Sequence, residues 1–342
     1  MTRRLPLSDF DYSLPRELIA QEPLEKRDRS RLLYLGSSGD IEHRRFSDLP
    51  ALLSPGDLLV LNETKVFPAR LFGRRATGGA VELLLLESVC ERTWRALARP
   101  ARKVGAGDRL TFAGGRLRGE VVETEPEGRT IVRFHYQGDW DGLLDAIGKT
   151  PIPPYIDRRT DERLLRERYQ TLFARNRGSV AAPTAGLHFT DEVFAELRNR
   201  RIRTARLTLH VGYATFAPIR GSRLEEHRMG VERFFIPEET FRLVETTRRS
   251  GGRIVAVGTT TVRALESATS AGWDETDLFI APGYPFRVVD RLVTNLHLPK
   301  SSLLVLVSAF AGIENVRRAY GEAVRERYRF YSFGDAMFLD RA

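Results

Sequence analysis

The amino-acid sequence predicts an α/β protein with a small β-barrel placed between two α/β stretches. Helical and strand patterns alternate from about residue 162 onwards, which indicates α/β architecture. Residues 62–138 hold short β-type runs split by Gly-rich turns. The length of 342 residues exceeds the usual size of one domain. We therefore expect two cores, or one large core with an insertion.

The first 61 residues contain two predicted strands, RLLYLG and DLLVLNE, which belong to a mixed α/β core. Five strands are predicted in the next segment, and their spacing is typical of a small barrel. They are VELLLLES, RTWRALAR, DRLTF, LRGEVVETE and RTIVRFHY. The prolines of TPIPPYI, at 150–156, remove backbone donors and favour extended or turn geometry, so we predict a domain junction there.

Beyond the junction the periodicity predicts further helices and strands. The predicted helices are ERLLRERYQTLFA, DEVFAELRNR, FRLVETTRR, TVRALESATS and two over 301–327. The predicted strands are TARLTLHVG, RIVAVG, DLFIAP and RLVTNLHLP. The apolar run LLVLVSAFAG, at 303–312, is about half the roughly 20 residues needed to cross a bilayer, so we expect a buried helix and no membrane partner.

The composition is that of a globular protein, with 42% apolar and 29% charged residues. Cys90 is the sole cysteine, which excludes an intramolecular disulfide and a multi-cysteine metal site. We therefore expect a reducing compartment and no metal. The N-terminal MTRRLPLSDFDYSLP lacks the apolar stretch of a secretory signal, so we predict a cytoplasmic protein.

Positive charge favours a polyanionic partner. Lys and Arg exceed Asp and Glu by nine, and residues 62–138 carry 14 Lys and Arg against 9 Asp and Glu. An RNA-facing surface and an ordinary charged barrel exterior both fit this excess. Arg27, Arg29 and Arg31 alternate ahead of a predicted strand, where they form either a phosphate-binding stripe or a solvated face.

Two histidine-bearing segments are candidate sites for proton transfer. In GSVAAPTAGLHFT, at 178–190, small residues admit a ligand to the backbone and His188 suits general acid or base catalysis, while Thr190 is the predicted cap of the next helix. In LTLHVGYATF, at 207–216, His210 and Thr215 lie near a strand end, where α/β folds place ligands. A histidine packed beside a helix start, or one on the surface, remains the alternative.

Two further segments suit ligand binding. IVAVGTTTVRALE, at 254–266, is predicted to form a strand, a tight turn and a helix, whose first N–H groups and threonines suit a carboxylate or phosphate. Simple capping is equally compatible, and Glu266 on that helix would ordinarily form a salt bridge. Asn295 and His297 share a strand face at a strand end, where they would grip a polar ligand such as an adenosine, or bond to each other.

Together these segments resemble the S-adenosylmethionine:tRNA ribosyltransferase-isomerases of queuosine biosynthesis. The likeness spans nearly the whole chain and follows one order. It runs through DFDYSLPRELIAQEPLEKRDRSRLL, LNETKVFPARL, RPARKVGAGDRL, PIPPYI, GSVAAPTAGLHFT, LHVG, AVGTTTVRALE, PGYPFRVVDRLVTNLHLPKSSLL, LVSAFAG and YSFGDAM.

The resemblance implies a larger mixed α/β domain built from both chain ends, residues 1–61 and 150–342, with a small β-barrel domain inserted at 62–149. It implies that the ribosyl part of S-adenosylmethionine is transferred and isomerised onto 7-aminomethyl-7-deazaguanine at the wobble position of a tRNA with a GUN anticodon. The product is epoxyqueuosine in tRNA, released with adenine and methionine. S-adenosylmethionine is a co-substrate, and no other cofactor is expected.

Site residues follow by position. The candidates for proton transfer are His188 and His210, with Glu266 as an orienting group or alternative base. Residues expected to bind S-adenosylmethionine are Thr184, Gly186, Gly212, Thr215, Thr259, Thr260, Asn295 and His297. Residues expected to bind tRNA are Arg27, Arg31, Arg102 and Lys103.

Two departures from the family pattern keep other readings open. Ala214 stands where the family usually has a second glycine, and Gly230 where it usually has a histidine. A diverged member that binds S-adenosylmethionine or RNA and catalyses a different transfer is the first alternative. A non-enzymatic RNA-binding protein that uses only the basic barrel is the second.

Overall fold

The computed structural model describes residues 5–153, 155–156, 161–212, 219 and 224–342. The strands are β1 (Arg31–Leu35), β2 (Ile41–Arg45), β3 (Leu58–Asn62), β4 (Thr64–Val66), β5 (Arg70–Arg75), β6 (Ala80–Cys90), β7 (Thr93–Arg99), β8 (Arg109–Phe112), β9 (Leu117–Thr124), β10 (Arg129–Tyr136), β11 (Asn176–Ser179), β12 (Arg203–Leu209), β13 (Glu232–Ile236), β14 (Ile254–Val257), β15 (Gly272–Thr276), β16 (Arg291–Asn295) and β17 (Ala336–Asp340). The α-helices are α1 (Trp140–Ile147), α2 (Glu162–Arg168), α3 (Asp191–Asn199), α4 (Glu238–Arg249), α5 (Thr259–Ser267), α6 (Ser302–Ala311) and α7 (Ile313–Arg325).

A nine-stranded mixed sheet forms the larger part, in the order β15-β13-β12-β3-β14-β16-β17-β1-β2. Strands β12, β3, β14 and β16 are parallel to one another, and the direction reverses between β16 and β17. Three of the nine strands precede the barrel in the chain and six follow it. The predicted fold class, an α/β part built from both chain ends with an inserted barrel, is confirmed.

Helices cover both faces of this sheet. Side chains of α4, α5, α6 and α7 share one hydrophobic core with one face, while α3 and the 3₁₀ segment Phe46–Leu52 pack on the other. Every residue of β3 is buried, because a central parallel strand is covered on both faces. Its sequence, LLVLN, is accordingly apolar without alternation.

The barrel is closed and has six strands, in the order β10-β7-β6-β5-β8-β9. The expectation of five strands was wrong, because it omitted β5. Two arginines and Gly73 hide the alternation of RLFGRR. A Cβ atom on Gly73 would lie 2.4 Å from Cδ1 of Phe112, so this strand needs a glycine where the phenylalanine crosses it.

The strand predicted at DLFIAP was also wrong. The pairing strand is β15, immediately upstream, and it lies antiparallel to β13 at the sheet edge. Residues 277–282 form a loop in which Ile280 is buried in the core. A short apolar run can anchor a loop as readily as a strand, and only the backbone pairing decides between them.

Two predicted helices, α6 and α7, lie within 301–327 as expected. Helix α6 is almost entirely buried, which confirms the buried helix predicted for LLVLVSAFAG. Ser301 caps it by accepting a hydrogen bond from the amide of Leu304 at 3.2 Å. In the described ranges no helix is long and apolar enough to cross a membrane.

Candidate functional site

A cleft opens where the carboxyl ends of the parallel strands meet. Its walls come from residues 182–185, the start of α5, the end of β16 and the pair Tyr331–Ser332, and its empty volume is about 520 Å³ including open solvent. This position, outside the carboxyl ends of parallel strands, is where open α/β sheets bind ligands. Segments more than 140 residues apart in sequence therefore share one site.

Helix α5 presents its N-terminus to the cleft. Gly258, at φ 91°, makes the left-handed turn from β14 into the helix, and Thr259 and Thr260 line the cleft wall. Asn62 at the end of β3 donates to Oγ1 of Thr260 at 3.3 Å and accepts from the amide of Leu209 at 3.0 Å. The first amide groups of the helix have no partner within it, so this wall favours an anion.

Asn295, the last residue of β16, connects three segments: β16 itself, the 3₁₀ segment Thr184–His188 and Tyr331. Its Oδ1 accepts from the hydroxyl of Thr184 at 3.0 Å. Its Nδ2 donates to Nε2 of His188 at 3.1 Å and to the carbonyl of Tyr331 at 3.3 Å. The amide is thereby fixed in one orientation at the cleft wall.

His188 is buried and held from both sides. Its ring stacks on Phe46 with centroids 4.9 Å apart, and Nδ1 lies 2.7 Å from Oγ of Ser30, which donates to the carbonyl of Arg27 at 2.8 Å. Because Nε2 accepts a hydrogen bond from Asn295, the neutral ring carries its proton on Nδ1. The Nδ1–H group then donates a hydrogen bond to Oγ of Ser30. Burial lowers the pKa of His188 to about 4, so the imidazole is neutral at pH 7.

A second, smaller cleft of about 250 Å³ lies behind this histidine. Arg27, Ser30 and His188 line it, and Ser332 lines both clefts. The network from Ser30 through His188 to Asn295 thus runs from one cleft to the other.

His297 lies in the first cleft but does not bond to Asn295. Its Nε2 lies 2.8 Å from Oγ1 of Thr294, and its backbone is held by the hydroxyls of Tyr12 and Tyr320. Burial lowers the pKa of His297 to about 3, so this ring is also neutral.

His210 follows β12 and lies outside the cleft lining, while the next residue, Val211, is part of it. Nδ1 of His210 lies 2.9 Å from Oγ1 of Thr64, and the ring stacks beside Trp273 with centroids 5.9 Å apart. Burial and the neighbouring Arg233 lower its pKa. In the described part of the chain Nε2 has no hydrogen-bond partner, so it is open to a ligand proton.

A buried ion pair supports the same strand end. Arg263 of α5 pairs with Glu232 of β13, and both side chains are less than 5% exposed. The other oxygen of Glu232 accepts from the amide of Gly212 at 2.8 Å. The backbone beyond Val211 is therefore tied to helix α5 through a charged pair inside the core.

The family described as queuosine biosynthesis protein matches residues 7–339. The chain belongs to this family. A protein of Acetivibrio thermocellus named S-adenosylmethionine:tRNA ribosyltransferase-isomerase is 49% identical, covering 98% of this chain and 100% of that protein. One of the same name from Symbiobacterium thermophilum is 51% identical, covering 97% of this chain and 99% of that protein.

A solved structure extends the likeness to three dimensions. The crystal structure of S-adenosylmethionine tRNA ribosyltransferase from Thermotoga maritima is 42% identical, with a TM-score of 0.55. The match covers 97% of this chain and 100% of that chain.

The family's site positions are only partly gathered in the cleft. The residues of the predicted set that line it are Thr184, Thr259, Thr260, Asn295 and His297. Gly186 packs elsewhere, since a Cβ atom on it would lie 2.8 Å from Cζ of Phe173. Thr215 and Ala214 fall outside the described residues. The predicted roles of all these positions stay predictions.

Glu266 lies away from the cleft lining. Its carboxylate accepts from the amides of Arg287, Val288 and Val289 at 2.9, 3.0 and 2.9 Å. This side chain thus orders the segment before β16, rather than forming the salt bridge that is its ordinary role on a helix.

The four arginine and lysine positions expected to bind tRNA divide into two kinds. Arg27 donates hydrogen bonds to the carbonyls of Gln170 and Arg168 at 2.8 and 2.9 Å and so caps α2. Cζ of Arg31 lies 3.7 Å from the ring centroid of Tyr328. Arg102 and Lys103 are exposed on a 3₁₀ turn of the barrel, and their side chains bond to nothing in the described ranges. These two are open to phosphate.

Tyr331 and Ser332 were not among the predicted site residues. Tyr331 has φ 77°, a left-handed conformation that is uncommon for a bulky residue. Its ring packs edge-on against that of Tyr155, with the ring centroids 3.9 Å apart. The hydroxyls of Tyr155 and Ser332 are hydrogen-bonded. Only the YSFGDAM segment of the family likeness pointed here, because backbone strain leaves no periodic signal.

Among the described residues no group of three His, Cys, Asp or Glu side chains is arranged to hold a metal ion.

The two buried histidines predict a loss of stability in acid. His188 and His297 have folded pKa values of about 4 and 3, below the 6.5 of an unperturbed histidine, so the unfolded chain binds more protons as pH falls below 6.5. Stability is full above pH 6.5, and moving from pH 7.5 to 5 should cost about 2 kcal/mol per histidine. Chemical unfolding at both pH values measures this.

Matched variants separate this contribution from that of the carboxylates. His188→Gln should remove about half of the pH dependence that His188 and His297 together contribute. His135→Gln, on the exposed barrel surface, should leave it unchanged. An unaltered pH dependence in His188→Gln would mean that His188 protonates as easily in the folded chain as in the unfolded one.

Proposed function

We propose that the chain transfers and isomerises the ribosyl moiety of S-adenosylmethionine onto 7-aminomethyl-7-deazaguanine at the wobble position of a GUN-anticodon tRNA. The products are epoxyqueuosine in tRNA, adenine and methionine. The observation that carries the proposal is the match, along the whole chain, to relatives named for this activity at about half identity. S-adenosylmethionine is the co-substrate, and the site of action is the cytoplasm, where tRNA is modified.

S-adenosylmethionine is proposed to occupy the larger cleft. The open amides at the start of α5, with Thr259 and Thr260, suit the carboxylate of the methionine part. Asn295 and His297 supply polar groups for the adenosine part on the opposite wall. The one histidine that lines this cleft, His297, is neutral, so its ring adds no positive charge to repel the sulfonium.

The reaction needs a proton acceptor, a proton donor for adenine and exclusion of water. A sulfonium acidifies the neighbouring C–H bonds, so a base near C5′ can remove a proton and start expulsion of adenine. The aminomethyl nitrogen then attacks the sugar, and methionine departs with the electrons of the C–S bond. His188 and His210 are neutral acceptors for this purpose, and Glu266 would act on the orientation of nearby backbone.

The test is product analysis with the protein as it exists. Incubation with S-adenosylmethionine and tRNA carrying the aminomethyl base should release adenine and methionine in equal amounts and give a heavier nucleoside by mass spectrometry. Ala214 and Gly230 favour a second candidate, a diverged member with another transfer. That candidate predicts consumption of S-adenosylmethionine without epoxyqueuosine. Binding of RNA without any consumption would support a non-enzymatic protein instead.

The barrel is proposed as the tRNA-binding surface, which predicts a steep salt dependence of tRNA affinity. If six to ten phosphates are contacted, affinity should fall by about 10³- to 10⁵-fold between 50 and 200 mM salt, because each contact releases counterions. Replacing Arg102 and Lys103 by alanine should reduce the slope of log affinity against log salt by about two.

A substitution that removes one positive charge outside the barrel provides the control. Arg317, exposed on α7 and paired with Glu314, lies on the other part of the molecule. Arg317→Ala should leave the slope as in the unaltered protein. A flat salt profile, or an equal loss of slope in both variants, would place the RNA elsewhere than on the barrel.

A further inference from the structure

The edge of the large sheet carries an exposed aromatic surface, of which the proposed chemistry uses only His210. Side chains alternate along β13 and β15, so Arg233 and Phe235 share a face with Trp273 and Glu275. Trp273 is 55% exposed, although large aromatic side chains are normally buried. We call Trp273, Phe235, Arg233 and His210 the aromatic edge.

The other three side chains of the aromatic edge contact the indole of Trp273. Ring centroids of Phe235 and His210 lie 5.2 and 5.9 Å from that of Trp273, and Cζ of Arg233 lies 5.2 Å from it. These contacts hold the indole in place and leave more than half of it open to solvent. A rigid, open indole beside a guanidinium is the kind of surface on which unpaired nucleic-acid bases stack.

Charge on this edge complements a nucleotide. Arg233 is 63% exposed, and its carboxylate partner Glu275, 62% exposed, is 3.9 Å away. An ion pair that long and that exposed is worth little, so the guanidinium can turn to a phosphate at small cost. A base on the indole and a phosphate on Arg233 would satisfy both groups.

The aromatic edge also lies next to the cleft. His210 is one residue from Val211 of the cleft wall, and adjacent Cα atoms are about 3.8 Å apart. A base on Trp273 would therefore be close to a base entering the cleft along the same strand of RNA.

We propose that Trp273 is the stacking platform for one unpaired nucleotide of the RNA substrate, flanking the base that is modified. This inference rests on the proposed function for the nature of the RNA, but it is tested by binding alone. The platform positions the RNA and takes no part in bond making.

The experiment measures the affinity of an anticodon stem-loop RNA carrying the aminomethyl base for Trp273→Leu and Trp273→Phe. Loss of stacking should weaken binding by about 5- to 150-fold in Trp273→Leu. Trp273→Phe should retain most of the affinity, since it keeps a flat ring. S-adenosylmethionine binding should not change in either variant.

A series of RNAs, each with one loop nucleotide made abasic, identifies the stacked base. At that position the abasic change should weaken binding to the unaltered protein and have no further effect on Trp273→Leu. Quenching of tryptophan fluorescence that is lost in Trp273→Leu gives a direct readout, because that variant keeps the other two tryptophans of the chain, Trp94 and Trp140, which pack together in the barrel part.

Additive losses at every loop position would overturn the proposal, as would unchanged RNA affinity in Trp273→Leu. A shift in sedimentation between the unaltered protein and Trp273→Leu, without a change in RNA affinity, would instead make the edge a contact between two copies of the chain. Failure of the proposed function is distinguishable, because it appears as absent adenine release by the unaltered protein.

Discussion

Replacing His188 with glutamine should lower kcat by about 10²- to 10⁴-fold while leaving S-adenosylmethionine binding nearly unchanged. The glutamine carbonyl can accept from Asn295 and its amide can donate to Ser30, as the imidazole does. It cannot accept a proton near neutral pH. The substitution therefore removes proton transfer while the hydrogen bonds remain possible. Single-turnover rates of adenine release, with binding measured separately, give the two quantities.

Two further variants test whether the imidazole of His188 transfers the proton. Ser30→Ala removes the partner of Nδ1 but keeps the imidazole, so it should cost less than His188→Gln. His210→Gln should also slow the reaction, and if both histidines act in one step the double variant should lose less than the sum of the single losses. Near-normal kcat in His188→Gln would make His188 a positioning residue for Asn295, and the proton acceptor would then be Nε2 of His210.

Removing the carboxylate of Glu232 should destabilise the fold strongly. Glu232→Ala leaves the guanidinium of Arg263 buried without its charged partner and the amide of Gly212 without its acceptor. Breaking a buried ion pair from one side typically costs about 3–5 kcal/mol, because an uncompensated charge stays in the core. Urea unfolding should show the free energy of unfolding lowered by that amount, with activity reduced as the strand end near Val211 loosens.

An exposed pair between the same strand, β13, and its neighbour β15 supplies the control. Glu275→Ala removes the 3.9 Å partner of Arg233 and should change stability by less than about 0.5 kcal/mol. Glu232→Gln combined with Arg263→Met should recover part of the loss, since the charge is removed with its partner. Equal small losses in Glu232→Ala and Glu275→Ala would mean that water reaches the buried pair.

Local patterns in the sequence were sufficient for the parts of the fold that depend on near neighbours. The cap Thr190 was predicted correctly, since a cap bonds to an amide three residues on. The turn from β14 into α5 was visible in AVGTTTV for the same reason. The strand β5 and the loop after β15 were missed, because an edge or a barrel position is defined by its partner strand.

The candidate site was predictable as a set of segments, but the contacts within it were not. Arg27 illustrates the limit: its sequence pattern suggested a phosphate stripe or a solvated face, whereas its guanidinium caps α2, some 140 residues away. Likewise, Gly186 was expected to let a ligand approach the backbone, and the structure shows that the ring of Phe173 packs closely against this glycine. A small residue in a sequence shows that something approaches closely, without showing what.

The α/β class, the inserted barrel, the positive charge of that barrel and the family could all be predicted from the sequence. Each of these depends on periodicity, composition or an ordered set of segments, which are all properties of the chain in one dimension. Two features could be seen only in the folded protein. Trp273 is exposed, and one hydrogen-bond network joins Ser30, His188, Asn295 and Tyr331. Strand order and the reversal between β16 and β17 bring these residues together, and side chains remote in sequence acquire partners and shifted pKa values only when the sheet has paired.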